Sequence, residues 1–123
     1  MVVEVEIAAN TGEVNMQILI NTDKNISGNE AMTQHTKDIL ERILSHFSSQ
    51  ITRLEVHLSD ENSASKFGVV DKRCVLEARL AGRKPTSVSD VAFTIDQVVT
   101  SVAHKMSALL ESELGKLGKH LNG

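Results

Sequence analysis

The sequence predicts an α+β sandwich in the order β-α-β-β-β-α. One mostly antiparallel four-stranded sheet carries two helices on one face, and a further strand candidate lies at the N-terminus. Three observations predict this. Within residues 27–62 a helical apolar period gives way, at Ser48-Ser49, to a period of two. Residues 13–21 and 69–81 alternate in the same one-sided way. A second helical stripe runs from Val91 to Leu114, with Leu117 a further candidate. Strands with a single apolar face need cover on that face only, and two amphipathic helices supply it.

In chain order, residues 2–7 (VVEVEI) alternate and read as a strand, either the first arm of a hairpin or an added extension. Thr11-Gly12 breaks the run. In residues 13–21, Val14, Met16, Ile18 and Ile20 share one face. Asp23-Lys24-Asn25 is a loop. Ser27 with Glu30 has the spacing of a capping box and opens the first helix. Its stripe is Met32, Ile39, Leu40, Ile43, Leu44 and Phe47. The strand at about 51–58 points Leu54, Val56 and Leu58 inward and Arg53, Glu55 and His57 outward. After a polar loop over 59–68, the strand at about 69–81 places Lys72, Cys74, Leu76, Ala78 and Leu80 on the core side. Asp71, Arg73, Val75, Glu77 and Arg79 take the other side. Gly82 to Pro85 is a turn holding the one proline, where a missing N–H costs least. Residues 86–88 make a short edge strand, and Ser89-Asp90 opens the second helix. That helix starts rich in β-branched residues, which lowers its local propensity. Its period and length still favour a helix, with fraying at Gly115 and Gly118.

Length and composition set bounds. A chain of 123 residues is one domain by size, here residues 16–117, with 1–15 an N-terminal extension and 118–123 a flexible tail. Three Phe and no Tyr or Trp make the core aliphatic. A net charge of −3 gives no global positive field for nucleic acid or an anionic membrane. One cysteine, Cys74, excludes an internal disulfide. The absence of a basic n-region and of any membrane-length apolar run points to an intracellular protein.

Catalytic and metal chemistry have little to stand on. The five histidines show no ligand spacing, and no phosphate loop, nucleophile elbow or carboxylate dyad occurs. The sequence therefore predicts no enzyme, no cofactor and no metal. Cys74 lies on the core side, as an inert thiol. Asp60-Glu61 reads as a solvated loop pair. Phe67 and Phe93 are the candidate stacking aromatics; Phe67 could equally plug the end of the sheet.

Three stretches, together with the element order, resemble one family. Met16-Gln17-Ile18 followed by Asn25-Ile26 is similar to its opening strand and loop. LERILSHFSSQITRLEVHLS is similar to its helix-to-strand junction. Phe93-Thr94-Ile95-Asp96, with His104-Lys105 further on, is similar to its second-helix motifs. The family is the ribosome hibernation promoting factors, or ribosome-associated translation inhibitors, and the resemblance spans about residues 16–117. It implies a fold like a double-stranded-RNA-binding domain, in a short form without a further C-terminal domain. It implies a non-catalytic, cytoplasmic regulator that binds small-subunit rRNA near the decoding centre and inhibits translation in stress or stationary phase. The chain departs from the family in Glu111 and Glu113, where relatives tend to be basic, and in residues 1–15, since family chains start near the equivalent of Met16.

Phosphate neutralisation dominates RNA affinity, so local charge is the informative quantity. Residues 66–84 hold six basic and two acidic side chains, against seven and fourteen elsewhere. The rRNA-binding expectation therefore rests on Lys66, Arg73, Arg79, Arg83 and Lys84, with Arg53 on the neighbouring strand. The resemblance adds Lys37, Arg42 and Lys105 on the helices. The competing reading is a solvated sheet face whose Arg and Glu pair with one another. In that case the same fold is a protein-binding or self-associating module without rRNA affinity. The expected partners are the small ribosomal subunit, with no DNA and no membrane, and a homo-oligomer through the N-terminal strand or the exposed sheet is left open.

Overall fold

A computed structural model describes residues 2–8, 15–23, 26, 29–60 and 71–122. Strands β1 (Val2–Ala8), β2 (Asn15–Thr22), β3 (Ile51–Asp60), β4 (Lys72–Leu80) and β5 (Thr86–Ala92) form one sheet in that spatial order. Helix α1 (Glu30–Leu44) runs into a 3-10 turn, Ser45–Phe47, and helix α2 (Ile95–Asn122) follows β5. The α+β order is the predicted one, with β1 added as a fifth strand.

The sheet is mixed. β2 and β3 are parallel, while β1–β2, β3–β4 and β4–β5 are antiparallel. A parallel pair cannot be closed by a hairpin, and α1 is the crossover that joins it. Ile18, Ile20, Leu54, Val56, Leu58, Cys74, Leu76 and Ala78 point to the helical side. There they form one buried cluster with Ile39, Leu40 and Leu44 of α1 and Val98, Val99, Val102, Met106 and Leu110 of α2. The opposite residues of β3 and β4 are exposed or half-buried, and no described element covers them.

Several local expectations change. Ser27 lies outside the described residues, and the α1 cap is Asn29, whose side chain accepts from Met32 N at 2.8 Å. Ser89-Asp90 do not open the second helix. β5 runs through both to Ala92, alternating half-buried and exposed. α2 begins at Ile95, where Thr94 Oγ1 accepts from Gln97 N at 3.1 Å. Val91 therefore leaves the helical stripe and is 43% exposed on the edge strand. Val91, following Thr86 and Val88, suits the edge strand, while the remaining β-branched residues from Ile95 to Thr100 lie in the helix that Thr94 caps. α2 continues through Gly115 and Gly118 to Asn122.

Two devices set the position of the outer sheet face. A bulge between Ile51 and Arg53 adds Thr52, whose hydroxyl donates to Arg79 O at 3.2 Å. The bulge changes the side-chain parity, so Ile51 and Leu54 are both buried while Arg53 faces outward opposite Arg79. At the β4–β5 turn Gly82 has φ +71°, a left-handed conformation that favours glycine, and Arg83 N donates to Leu80 O at 3.2 Å.

Candidate nucleic-acid interface

The basic residues singled out from the sequence fall into three groups. Arg53, Arg73 and Arg79 lie on the outer sheet face, on β3 and β4. Arg83 and Lys84 lie at the β4–β5 turn, both exposed. Lys37 and Arg42 belong to α1 and Lys105 to α2, on the opposite side of the sheet. Lys66 lies outside the described residues. The structure therefore brings Arg53 and Arg79 together, with the turn pair at the same end of the sheet, and leaves Arg73 on that face three rows away. It separates them from the helical cations by the thickness of the domain.

The outer face is ordered in rows that cross the strands. Gln17, Arg53 and Arg79 make one row. Leu19, Glu55, Glu77 and Ser87 make the next. Asn21, His57, Val75 and Ser89 follow, and then Ser59, Arg73 and Val91. The ion pairs run along the strands, with Arg53–Glu55 at 3.8 Å, Arg79–Glu77 at 3.7 Å and His57–Glu55 at 3.7 Å. Across β3 and β4 the charges meet their own sign: Arg53 faces Arg79, and Glu55 faces Glu77. Arg53 Nε is buried with no hydrogen-bond partner. The face is thus banded in sign and is not a uniform basic patch.

At the turn, Arg83, Lys84, Pro85, Thr86 and Glu113 line an open hollow of about 310 Å³. Arg83 reaches Glu113 at 3.8 Å, so one of its cations already has a carboxylate beside it. On the helical side Lys37 pairs with Glu41 at 3.8 Å. His35 meets Asp96 at 2.5 Å and His46 meets Glu111 at 3.7 Å, each linking the α1 segment to α2.

Lys105 serves a different contact. Its Nζ donates to Ser89 O at 3.2 Å and lies 3.5 Å from Asp90 Oδ2. Ser101 Oγ also donates to Asp90, and Val91 N donates to its other oxygen at 2.8 Å. This cluster fastens α2 to the edge strand. The Ser101 hydroxyl first, then the Val91 N–H and Lys105, hold the Asp90 carboxyl below its ordinary value. A depressed carboxylate contributes stability above its unfolded pKa and loses it as pH falls through the folded value. Asp90→Asn is therefore expected to be less stable than the parent at neutral pH. The gap should close as pH drops below about 4, which urea melts across pH will check.

One site that the sequence did not disclose is a buried charge cluster at the far end of β3 and β4. Asp60 and Asp71, expected in solvent, are 8% and 4% exposed. Lys72 Nζ lies 3.1 Å from Asp60 Oδ2 and donates to Asp71 Oδ1 at 2.9 Å. Asp23 joins them, since its Oδ2 accepts from Asp60 N at 3.2 Å. The hydrogen bond to Asp71, and then Asp60, hold the Lys72 ammonium above its ordinary pKa against the opposing effect of burial. Lys72 alternates with the core residues of β4, and its placement there was the available signal. Its amine is what allows the two carboxylates to leave water.

Other candidates are simpler. Cys74 is fully buried, and burial pushes its thiol up to about 12; it is not a nucleophile at neutral pH. Phe93 is 53% exposed in the bend before α2, while Phe67 lies outside the described residues. Among the described residues no His, Cys, Asp and Glu cluster suits a metal ion. None of the described helices is long and apolar enough to cross a membrane.

No family model and no curated protein matches this sequence. Solved structures do match in fold. The N-terminal domain of Thermus thermophilus Protein Y is 12% identical, with a TM-score of 0.60 over 76% of this chain and 93% of its own. A ribosomal subunit interface protein from Coxiella burnetii is 14% identical, with a TM-score of 0.64 over 80% of this chain and 97% of its own. At these identities the similarity is one of fold.

Proposed function

We propose that this chain, built on the fold of a ribosomal subunit interface protein, works at the ribosome. In this reading it is a non-catalytic cytoplasmic regulator that binds small-subunit rRNA near the decoding centre and inhibits translation in stress or stationary phase. The observation that carries the reading is the shared fold across four-fifths of the chain. The local motifs at residues 16–18, 40–59 and 93–96 support it.

The placement of the basic residues shapes how such binding works. Arg53, Arg73 and Arg79 lie on one side of the sheet, and Lys37, Arg42 and Lys105 on the other. A flat RNA surface meets one group only. A channel walled by RNA meets both, with Arg83 and Lys84 at the sheet end as further phosphate contacts; Lys66 is the remaining candidate. Glu55, Glu77 and Glu113 oppose that attraction, so the affinity is expected to be modest and strongly salt-dependent.

The test is sedimentation with purified small subunits over a salt series, beside Arg73→Glu/Arg79→Glu. The parent should co-pellet at low salt and be released as salt rises. The double variant should bind more weakly, with a log–log salt slope lower by roughly two. Failure of the parent to pellet even at low salt would overturn the reading.

A further inference from the structure

We propose that the outer sheet face docks on the same face of a second copy of this chain, about a twofold axis between the arginine row and the glutamate row. The starting observation is the order of charge across β3 and β4. Like charges directly opposite one another weaken a sheet. This pair of strands carries two such oppositions in succession, Arg53 against Arg79 and Glu55 against Glu77. Alternating the signs across the strands would remove both. The contacts along each strand, at 3.7–3.8 Å on partly exposed side chains, return little. The order does not serve the isolated sheet; on β3 and β4 it produces a positive band and a negative band side by side, while the register of β1 puts Glu6 and Glu4 at the outer ends of these rows, beyond Gln17 and Leu19.

Two adjacent bands of opposite sign specify their complement. A polyanion gains from the arginines and is repelled by the glutamates. A surface with the same two bands in reverse order gains from both. A second copy of this chain is such a surface when turned about an axis parallel to the bands. The bands are two residues apart along each strand, about 7 Å. Rotation about the line midway between them lays Arg53 over the partner's Glu55 and Arg79 over the partner's Glu77. The symmetry repeats both contacts, for four ion pairs in a closed, isologous dimer. Leu19 in the carboxylate row and Val75 in the next row are half-buried apolar side chains beside the charges. Arg73, six residues from Arg79 and about 20 Å away, lies outside the paired bands.

The exposed rows of β2–β5 span roughly 20 Å, so the buried area falls short of the ~800 Å² per partner of tight complexes. The dimer is therefore weak and dissolves in salt. The proposal rests on the sheet face alone and not on ribosome binding.

Sedimentation velocity from about 10 to 500 µM chain, at about 20 mM and about 500 mM salt, tests it. At low salt the mass should rise with concentration toward twice the 13.4 kDa of one chain, and high salt should return it to one. Arg53→Glu/Arg79→Glu and Glu55→Arg/Glu77→Arg should each remain single chains. An equimolar mixture of the two should associate, and the fourfold reversal carrying all four changes should regain the parent's dimer. A parent that stays a single chain throughout the low-salt series overturns the proposal. So does association that persists unchanged in both double variants. Glu55→Arg/Glu77→Arg also separates this proposal from the ribosome reading: it should lose the dimer while still pelleting with small subunits.

Discussion

Leu54→Ala is expected to lower the unfolding free energy by about 3–4 kcal/mol. Leu54 is fully buried on β3, the central strand, in register with Ile18 of β2 and Ala78 of β4. Truncation removes the transfer energy of its side chain and leaves a cavity between a sheet and two helices. The neighbours have little freedom to fill it, because β3 is held by hydrogen bonds on both sides and the core has few long aromatics to swing inward. Domains of this size are held by about 5–15 kcal/mol, so one methyl-rich side chain accounts for a large share. Urea unfolding should show a lower midpoint with an unchanged slope. Val91→Ala, on the exposed edge, should stay within about 0.5 kcal/mol of the parent.

Lys72→Met should cost about 2–3 kcal/mol, a little less than a fully buried pair because the lysine keeps some contact with water. Met matches the lysine stem, so the loss is that of the charge and its hydrogen bond. Asp60 and Asp71 then share a nearly dry site without their common cation. The pH dependence identifies the cause. A lysine raised above its ordinary 10.5 contributes its stabilisation fully below that value and loses it as pH rises through the folded pKa. The deficit of Lys72→Met is therefore expected to be constant between about pH 6 and 9, and to close only at pH above 10.5. Adding Asp71→Asn should recover part of the loss, because one of the two buried charges goes with it. Thermal melts in parallel should place Lys72→Met about 10 °C below the parent.

Much of the fold was legible before any coordinates. The switch of period at Ser48-Ser49, the alternation of Cys74, Leu76, Ala78 and Leu80, and the stripe through Val98, Val102 and Met106 each identify an element and its buried face. The edge strand at 86–88 was legible, but its continuation over 89–92 was not, because Ser, Asp and Val there suit both an edge strand and the first turn of a helix. The decision fell to pairing with β4, through Val91 opposite Arg73 and Ser89 opposite Val75. The cap moved to Thr94 for the same reason.

The candidate interface was legible as a list of charges and not as a surface. Arg53, Arg73 and Arg79 were correctly placed on one face, since parity along a strand is a local property. That Arg53 stands against Arg79, and Glu55 against Glu77, depends on the register of β3 on β4, which no periodicity reports. The same holds for Asp71. Its neighbour in sequence, Lys72, was visible, but the burial of its carboxylate required Asp60 to arrive from the end of β3.

By itself, the sequence determined which segments are strands or helices over most of the chain, which face of each is apolar, and that the core is aliphatic. These follow from the spacing of side chains within a few residues, and such spacing is intrinsic to the chain. Only the tertiary structure decided the register of β3 on β4, the parallel pairing of β2 with β3 under α1, the burial of two carboxylates around one amine, and the banding of charge on the open face. Each of these joins residues distant in sequence, and its energy exists only once the sheet has brought them within a few ångströms.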